Sequence, residues 1–261
     1  MSEPGELAGR KVLVVGAGTR ASADPDAPIG NGRAISVLAG RAGATVACAD
    51  IDAAAGAATA ALVEAAGATA HVLTADVTDA EACAELVAAA DDVMGGLDGL
   101  VLNVGIGAGM GMGGTTADQW DTVFAVNVRS HFLLAAAALP RMPEGGSIVF
   151  ISSIAGLTPG SRIPAYDSSK SALTGLCRQV AAEGARRGVR ANVIAPGLID
   201  TPLGRVASGD RPSRTKAPVP IGRQGTAWEV AEPVVFLLSD RASYITSQLL
   251  AVDGGLTGCR G

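Results

Sequence analysis

Residues 11–34 open Lys11-Val12-Leu13-Val14-Val15-Gly16-Ala17-Gly18. A polar stretch follows over 19–28, and then Ile29-Gly30-Asn31-Gly32-Arg33-Ala34. The first five residues are a short, mostly branched apolar run, suited to a buried strand. Glycines end it, and a second glycine pair opens the stretch 32–42, which reads as a helix. Bare backbone N–H groups at a helix N-terminus suit a pyrophosphate. Read without the polar stretch, Gly16, Gly18, Gly30, Asn31 and Gly32 carry a GxxxGxG spacing. This is a nucleotide-binding candidate in the first strand–helix unit of the chain.

The same alternation continues. Strands are expected over 45–50, 69–73, 99–102, 147–151, 190–194 and 249–252, and helices over 53–66, 79–94, 116–142 and 166–187. Continuous apolar strands with helical crossovers imply a parallel sheet covered on both faces. The expectation is an α/β fold: a single doubly wound Rossmann-type domain over 1–261, with about seven strands and helices on both faces. No internal repeat interrupts it. The segment 203–225 holds several prolines and basic residues with weak periodicity, and is expected to be a substrate lid.

Composition bounds the function. Of 261 residues 48% are apolar and only 17% charged, so the chain is no disordered segment. The 20 basic and 25 acidic side chains give −5, which argues against nucleic acid or an anionic membrane as partner. No apolar run reaches the roughly 18 residues a membrane helix needs. The start, Met1-Ser2-Glu3-Pro4, lacks a secretory pattern. Cys48, Cys83, Cys177 and Cys259 have no metal-ligand spacing, which leaves no expected metal site and suggests a reducing cytoplasm.

Asp50 ends the second strand. A carboxylate there can accept from both adenosine ribose hydroxyls and repels a 2′-phosphate, which favours NAD as cofactor. Asp52 fits a helix cap better. Asp76 is a candidate for the adenine amino group, with Asp79 as a competing helix N-terminus residue. Tyr166 and Lys170, four apart at a helix start, share one face. An ammonium beside a phenol stabilises the phenolate and draws the tyrosine pKa from about 10 toward neutrality. Such a tyrosine exchanges a proton with a substrate oxygen.

Ser152-Ser153 follows the fifth strand, 13 residues before Tyr166. Asn127-Val128-Arg129, Leu102-Asn103-Val104-Gly105 and Pro196-Gly197-Leu198-Ile199-Asp200-Thr201 follow in register with the other elements. This ordered set resembles the classical short-chain dehydrogenase/reductase family over nearly the whole chain. The resemblance implies Tyr166 as general acid/base and Lys170 as the group that lowers its pKa and binds the nicotinamide ribose. It implies that Ser153 orients the substrate oxygen and that Asn127 holds a water. Asn103 and Gly105 match a turn near the adenosine ribose, and Ile199 and Thr201 match a segment that fixes the nicotinamide. Ile51, Val77 and Pro196 are counted with the cofactor contacts. Val104 and Leu102 depart from the family's usual alanine and asparagine. The larger departure is the insert at 19–28: Gly16 and Gly32 are sixteen positions apart, against six in the family. The insert is expected beside the cofactor.

The expected function is an NAD-dependent oxidoreductase interconverting a secondary alcohol and a ketone. Its partners would be a small-molecule substrate and copies of itself, as homotetramer or homodimer. An NADP-dependent ketoreductase is the nearest alternative. A dinucleotide-binding regulator without turnover and a lyase or epimerase are further ones. His131 is expected to serve packing, and Met110 and Met112 lie in a loop where substrate could touch them. Arg205, Arg211, Arg214 and Lys216 are expected to be solvated more readily than to hold an anion.

Overall fold

The computed structural model describes residues 5–20, 22, 26–209 and 219–259. Seven strands make one parallel sheet: β1 (Lys11–Val15), β2 (Thr45–Asp50), β3 (Ala70–Thr74), β4 (Gly99–Leu102), β5 (Ser147–Ile151), β6 (Arg190–Pro196) and, last in sequence, β9 (Leu249–Val252). Their order is β3-β2-β1-β4-β5-β6-β9. The chain therefore reverses direction across the sheet between β1 and β4, paired from Val12↔Gly99 to Val15↔Leu102. In such sheets a ligand crevice opens outside the carboxyl ends at that reversal.

Alternation along the strands builds two cores. Leu13, Val15, Leu100, Leu102, Ile148 and Phe150 face one side, against α3 (Ala80–Met94), α5 (Ser130–Ala138) and α6 (Pro164–Ala185). Val12, Val14, Val101 and Val149 face the other, against α1 (Asn31–Arg41), α2 (Ala53–Ala65) and α8 (Ala227–Leu238). Each such side chain is fully buried or nearly so, worth about 1.5–3 kcal/mol before entropy is counted. Asp52 and Asp79 cap α2 and α3, each accepting two backbone N–H groups.

Three elements differ from expectation. The long helix expected over 116–142 is α4 (Ala117–Phe124), a π-turn (Ala125–Arg129) and α5, ending at Ala138. Helix α8 was not anticipated: Pro233 sits inside it, and an interior proline reads as a break. Its start is nonetheless encoded in the Thr226–Glu229 capping box. Within 203–225, helix α7 (Pro202–Gly209) replaces irregular chain. A small ribbon pairs β7 (Ile199–Asp200) with β8 (Gly225–Thr226). Residues 210–218, nine of the 23 in the segment expected to be a lid, lie outside the described residues, as do 21 and 23–25 of the insert.

Candidate active site

At the reversal point the Asn103 Nδ2 donates to the Gly16 carbonyl at 2.8 Å, tying the ends of β4 and β1 together. A Cβ on Gly32 would fall on that same Gly16 oxygen and within 2.7 Å of Asn103 Nδ2. Glycine there is what lets the N-terminus of α1 close onto the strand end. Gly30, the cap residue of α1, donates its N–H to Thr19 Oγ1 at 3.0 Å, so the insert is clasped at its base. Gly18 donates to Asp50 Oδ2 at 2.8 Å, and Asp52 N donates to Asp50 Oδ1 at 3.1 Å. Asn31 Oδ1, on the first residue of α1, is buried without a hydrogen-bond partner. An unpaired buried acceptor is costly and marks a place where a donor is due. A side-chain-free cradle, an orphaned acceptor and a strand-end carboxylate fit a dinucleotide.

Other expected contacts are distributed around this cradle. Ile51, beyond Asp50, is largely exposed, and Val77 turns its side chain into the core. The Asp76 carboxylate accepts from Thr78 N at 2.9 Å and Thr78 Oγ1 at 2.8 Å. These bonds hold it below the usual carboxylate range and compete with a role toward adenine.

The catalytic candidates gather at the ends of β4 and β5. Pro164 starts α6 at its first position, where a missing N–H costs nothing. One turn of that helix sets Lys170 Nζ 5.7 Å from the centre of the Tyr166 ring. Lys170 is buried, and its Nζ donates to the Ile151 carbonyl at 3.0 Å. Burial pulls its pKa down from 10.5 to about 8. A Cβ on Gly105 would come within 2.8 Å of Nζ, so this glycine keeps room for the ammonium. Ser153 follows β5, its Oγ accepting from Ala155 N at 3.2 Å. The neighbouring Ser152 hydroxyl donates to the Lys170 carbonyl at 2.7 Å and locks α6 to the strand end.

Asn127 lies in the π-turn, fully buried. Its Oδ1 accepts from Ile106 N at 2.8 Å, and its Nδ2 donates to Ile106 O and to Ser169 Oγ, both at 2.9 Å. Ser169 in turn donates to the Tyr166 carbonyl at 2.8 Å. These bonds clamp the β4–α4 loop to α6. Sequence reasoning missed Ser169, although it stands three residues after Tyr166.

On the substrate side, Pro196 ends β6 and Ile199 begins the small ribbon. Thr201 Oγ1 accepts from Gly204 N at 3.0 Å in the first turn of α7. Met112 lines a cavity of about 220 Å³ with Thr115, Trp120 and Pro164, and Pro164 stands two positions before Tyr166. Met110 is half exposed. Arg162 adopts the left-handed backbone region at φ 65°, where a non-glycine residue is uncommon. Its carbonyl there accepts from Gly111 N at 2.8 Å. Arg205 pairs with Asp200 at 2.8 Å, while Arg211, Arg214 and Lys216 lie outside the described residues. His131 is fully buried, with Nε2 3.2 Å from Leu102 O and its ring 6.2 Å from Phe150. Burial lowers its pKa to about 3, so it packs as a neutral ring.

Comparison with known proteins agrees with this geometry. Residues 28–257 match the family model described as enoyl-(acyl carrier protein) reductase. The 2-(S)-hydroxypropyl-CoM dehydrogenase 3 of Xanthobacter autotrophicus is 40% identical over 87% of this chain and 92% of its own. A Burkholderia xenovorans structure assigned as a short-chain dehydrogenase/reductase superposes with TM-score 0.91 and 33% identity, covering 98% and 100% of the two chains. A structure assigned as 2-deoxy-D-gluconate 3-dehydrogenase, from Agrobacterium tumefaciens with bound NADP, superposes at 0.84 with 32% identity, over 97% and 98%.

Proposed function

The chain belongs to the classical short-chain dehydrogenase/reductase family and is an oxidoreductase acting on CH–OH groups; from that premise we propose that it interconverts a secondary alcohol and a ketone with NAD, Tyr166 serving as general acid/base. The observation that carries this reading is the Tyr166–Lys170 pair on one face of α6, its buried ammonium 5.7 Å from the phenol ring. The named Xanthobacter relative acts on a 2-(S)-hydroxypropyl group, itself a secondary alcohol, which supports the substrate class.

Bound NAD supplies the hydride acceptor at nicotinamide. In the oxidative direction the Tyr166 phenolate takes the hydroxyl proton of the alcohol; in reduction the phenol returns it to the carbonyl oxygen. Lys170 stabilises the phenolate through its positive charge and reaches the nicotinamide ribose. Ser153 donates to the substrate oxygen and orients it. Asn127 fixes the helix that carries Tyr166. The gain comes from positioning and from stabilising alkoxide character.

The glycine cradle, Asn103 and Gly105 hold the dinucleotide, with the backbone N–H groups around Gly30 and Asn31 at the pyrophosphate and Asp50 at the adenosine ribose. Pro196, Ile199 and Thr201 border the nicotinamide, and Ile51, Asp76 and Val77 border the adenine. The whole chain serves as one dinucleotide-binding and catalytic domain. It works in the cytoplasm as a homodimer or homotetramer. Among the described residues no helix is long and apolar enough to cross a membrane. NADP is the second reading of the cofactor, favoured by its presence in the Agrobacterium structure.

Tyr166→Phe tests the mechanism. The ring still packs, and the cradle is untouched. Turnover of an accepted alcohol, followed as NADH formation, is expected to fall by about 10²–10⁴, with NAD affinity by fluorescence unchanged. If the variant keeps more than roughly a tenth of wild-type turnover, Tyr166 is not the acid/base.

A further inference from the structure

His131 is a buried imidazole that the mechanism leaves unused. It is the second residue of α5, directly beyond the π-turn (Ala125–Arg129) that carries Asn127. Its two ring nitrogens face different elements. Nε2 lies 3.2 Å from the carbonyl oxygen of Leu102, the last residue of β4, at the centre of the sheet. Nδ1 lies 3.2 Å from the buried Ser130 hydroxyl, and the Val126 carbonyl inside the π-turn is within hydrogen-bond reach of the ring. The ring therefore spans from the end of a central strand to the residue just before Asn127. The Leu102 carbonyl can only accept, which places the ring proton on Nε2 and leaves Nδ1 as an acceptor toward Ser130. Burial first, and then the Lys170 charge, keep the ring neutral. The link is thus made without a second cation near the ammonium.

Filling space beside Phe150, whose ring centre is 6.2 Å away, needs no nitrogen. What a hydrocarbon side chain cannot supply is a donor toward the strand end. That donor matters because of what the π-turn holds. The turn interrupts the regular ladder of the helix, so its orientation depends on side chains that tie it to its surroundings. Arg129 ties it to the Thr78 carbonyl from the exposed side, and His131 ties it to the sheet from the buried side. Asn127 reaches from the turn to Ile106 and to Ser169, and Ser169 donates to the Tyr166 carbonyl. A turn that rotates shifts these contacts together, and with them the start of α6, where Tyr166 sits.

We propose that His131 is a positioning residue for the reaction: its Nε2–H, donated to the Leu102 carbonyl, holds the π-turn against the end of β4 and so sets Asn127 against the helix that carries Tyr166. The proposal rests on the reading of Tyr166 as acid/base. The glycine cradle has ties of its own, from Asn103 N to Val15 O at 3.0 Å and from Asn103 Nδ2 to Gly16 O at 2.8 Å. Loss of the His131 donor therefore acts on turnover and spares cofactor binding.

The test compares the full chain as wild type, His131→Gln, His131→Asn and His131→Phe. Oxidation of a secondary alcohol that wild type turns over is followed as NADH formation, NAD affinity by fluorescence, and stability by thermal melting without cofactor. The glutamine amide nitrogen reaches as far as Nε2, the asparagine one only as far as Nδ1, and phenylalanine keeps a ring without a donor. His131→Phe and His131→Asn are expected to lose kcat on the order of tenfold or more, with KM and NAD affinity within about threefold of wild type. His131→Gln is expected to keep kcat within about threefold, although it lacks the ring and melts lower. Equal loss of kcat in all three variants would mean that the ring only fills space. Wild-type kcat in His131→Phe and His131→Asn would mean that the N–H positions nothing. A loss confined to KM or NAD affinity would place His131 behind binding. Each of these results overturns the proposal; should His131→Phe melt early, glutamine against asparagine decides, since the two differ only in reach. Failure of the Tyr166 reading shows elsewhere, as turnover kept by Tyr166→Phe.

Discussion

Lys170 shows how one side chain can be at odds with folding and suited to function. Its ammonium is buried with the Ile151 carbonyl as its hydrogen-bond partner, and burial lowers its pKa to about 8. A lysine whose folded pKa lies below its unfolded value of 10.5 binds fewer protons when folded between those two values. Stability then rises with pH across about 8 to 10.5, and the burial penalty is in full force below 8. Lys170→Met removes this dependence. Thermal unfolding of the cofactor-free protein over that range should show wild type gaining on the variant as pH rises. A constant difference between the two would show that the ammonium is not buried as described. His131 makes the opposite case at the same scale: a potential catalytic base by type, it is neutralised by burial and packs against Phe150.

At the scale of elements, the docking of α1 onto β1 depends on one missing side chain. A methyl at position 32 meets the Gly16 carbonyl oxygen and Asn103 Nδ2, so the helix must withdraw from the strand end. Gly32→Ala is expected to cost more than about 3 kcal/mol, beyond ordinary overpacking. It should weaken both NAD and NADP, because the cradle itself opens. Denaturant melts and cofactor titration of the variant check both parts; a cost under about 1 kcal/mol would show that the helix has room to give. The π-turn between α4 and α5 works on the same scale. It brings the Asn127 side chain to Ile106 and to Ser169 and so joins a loop to α6. Sequence periodicity reads straight through such a turn, since one extra residue in a long apolar helix leaves little trace.

For the whole molecule, the outer face of α6 presents Ser168, Ser171, Ala172 and Gly175 along a groove of about 630 Å³ that Phe124 also lines. Small side chains at this spacing allow another helix to approach closely. Phe132 on α5 and Tyr244 near β9 are exposed as well. Association through these faces predicts that light scattering at micromolar concentration reports a dimer or tetramer. A monomer would contradict the proposed assembly. Within 203–225, Arg205 is paired to Asp200 in an exposed bridge worth about 0–1 kcal/mol.

The strand–helix alternation, the parallel sheet and Asp50 were legible before any coordinates from local patterns, namely apolar runs of strand length and polar residues where those runs end. Tyr166 and Lys170 were legible from their four-residue spacing, and Ser153 from the family resemblance. Tertiary structure alone decided which groups meet across elements. Ser169 reaches Asn127 from another helix, Arg33 reaches Thr59 from α1 to α2, and Gly105 clears space for an ammonium 65 positions later in the chain. It also decided that Pro233 sits inside a helix, where packing against the sheet outweighs local preference. Periodicity records which face of an element is buried; it holds no information on which partner waits there, because that depends on how distant segments pack.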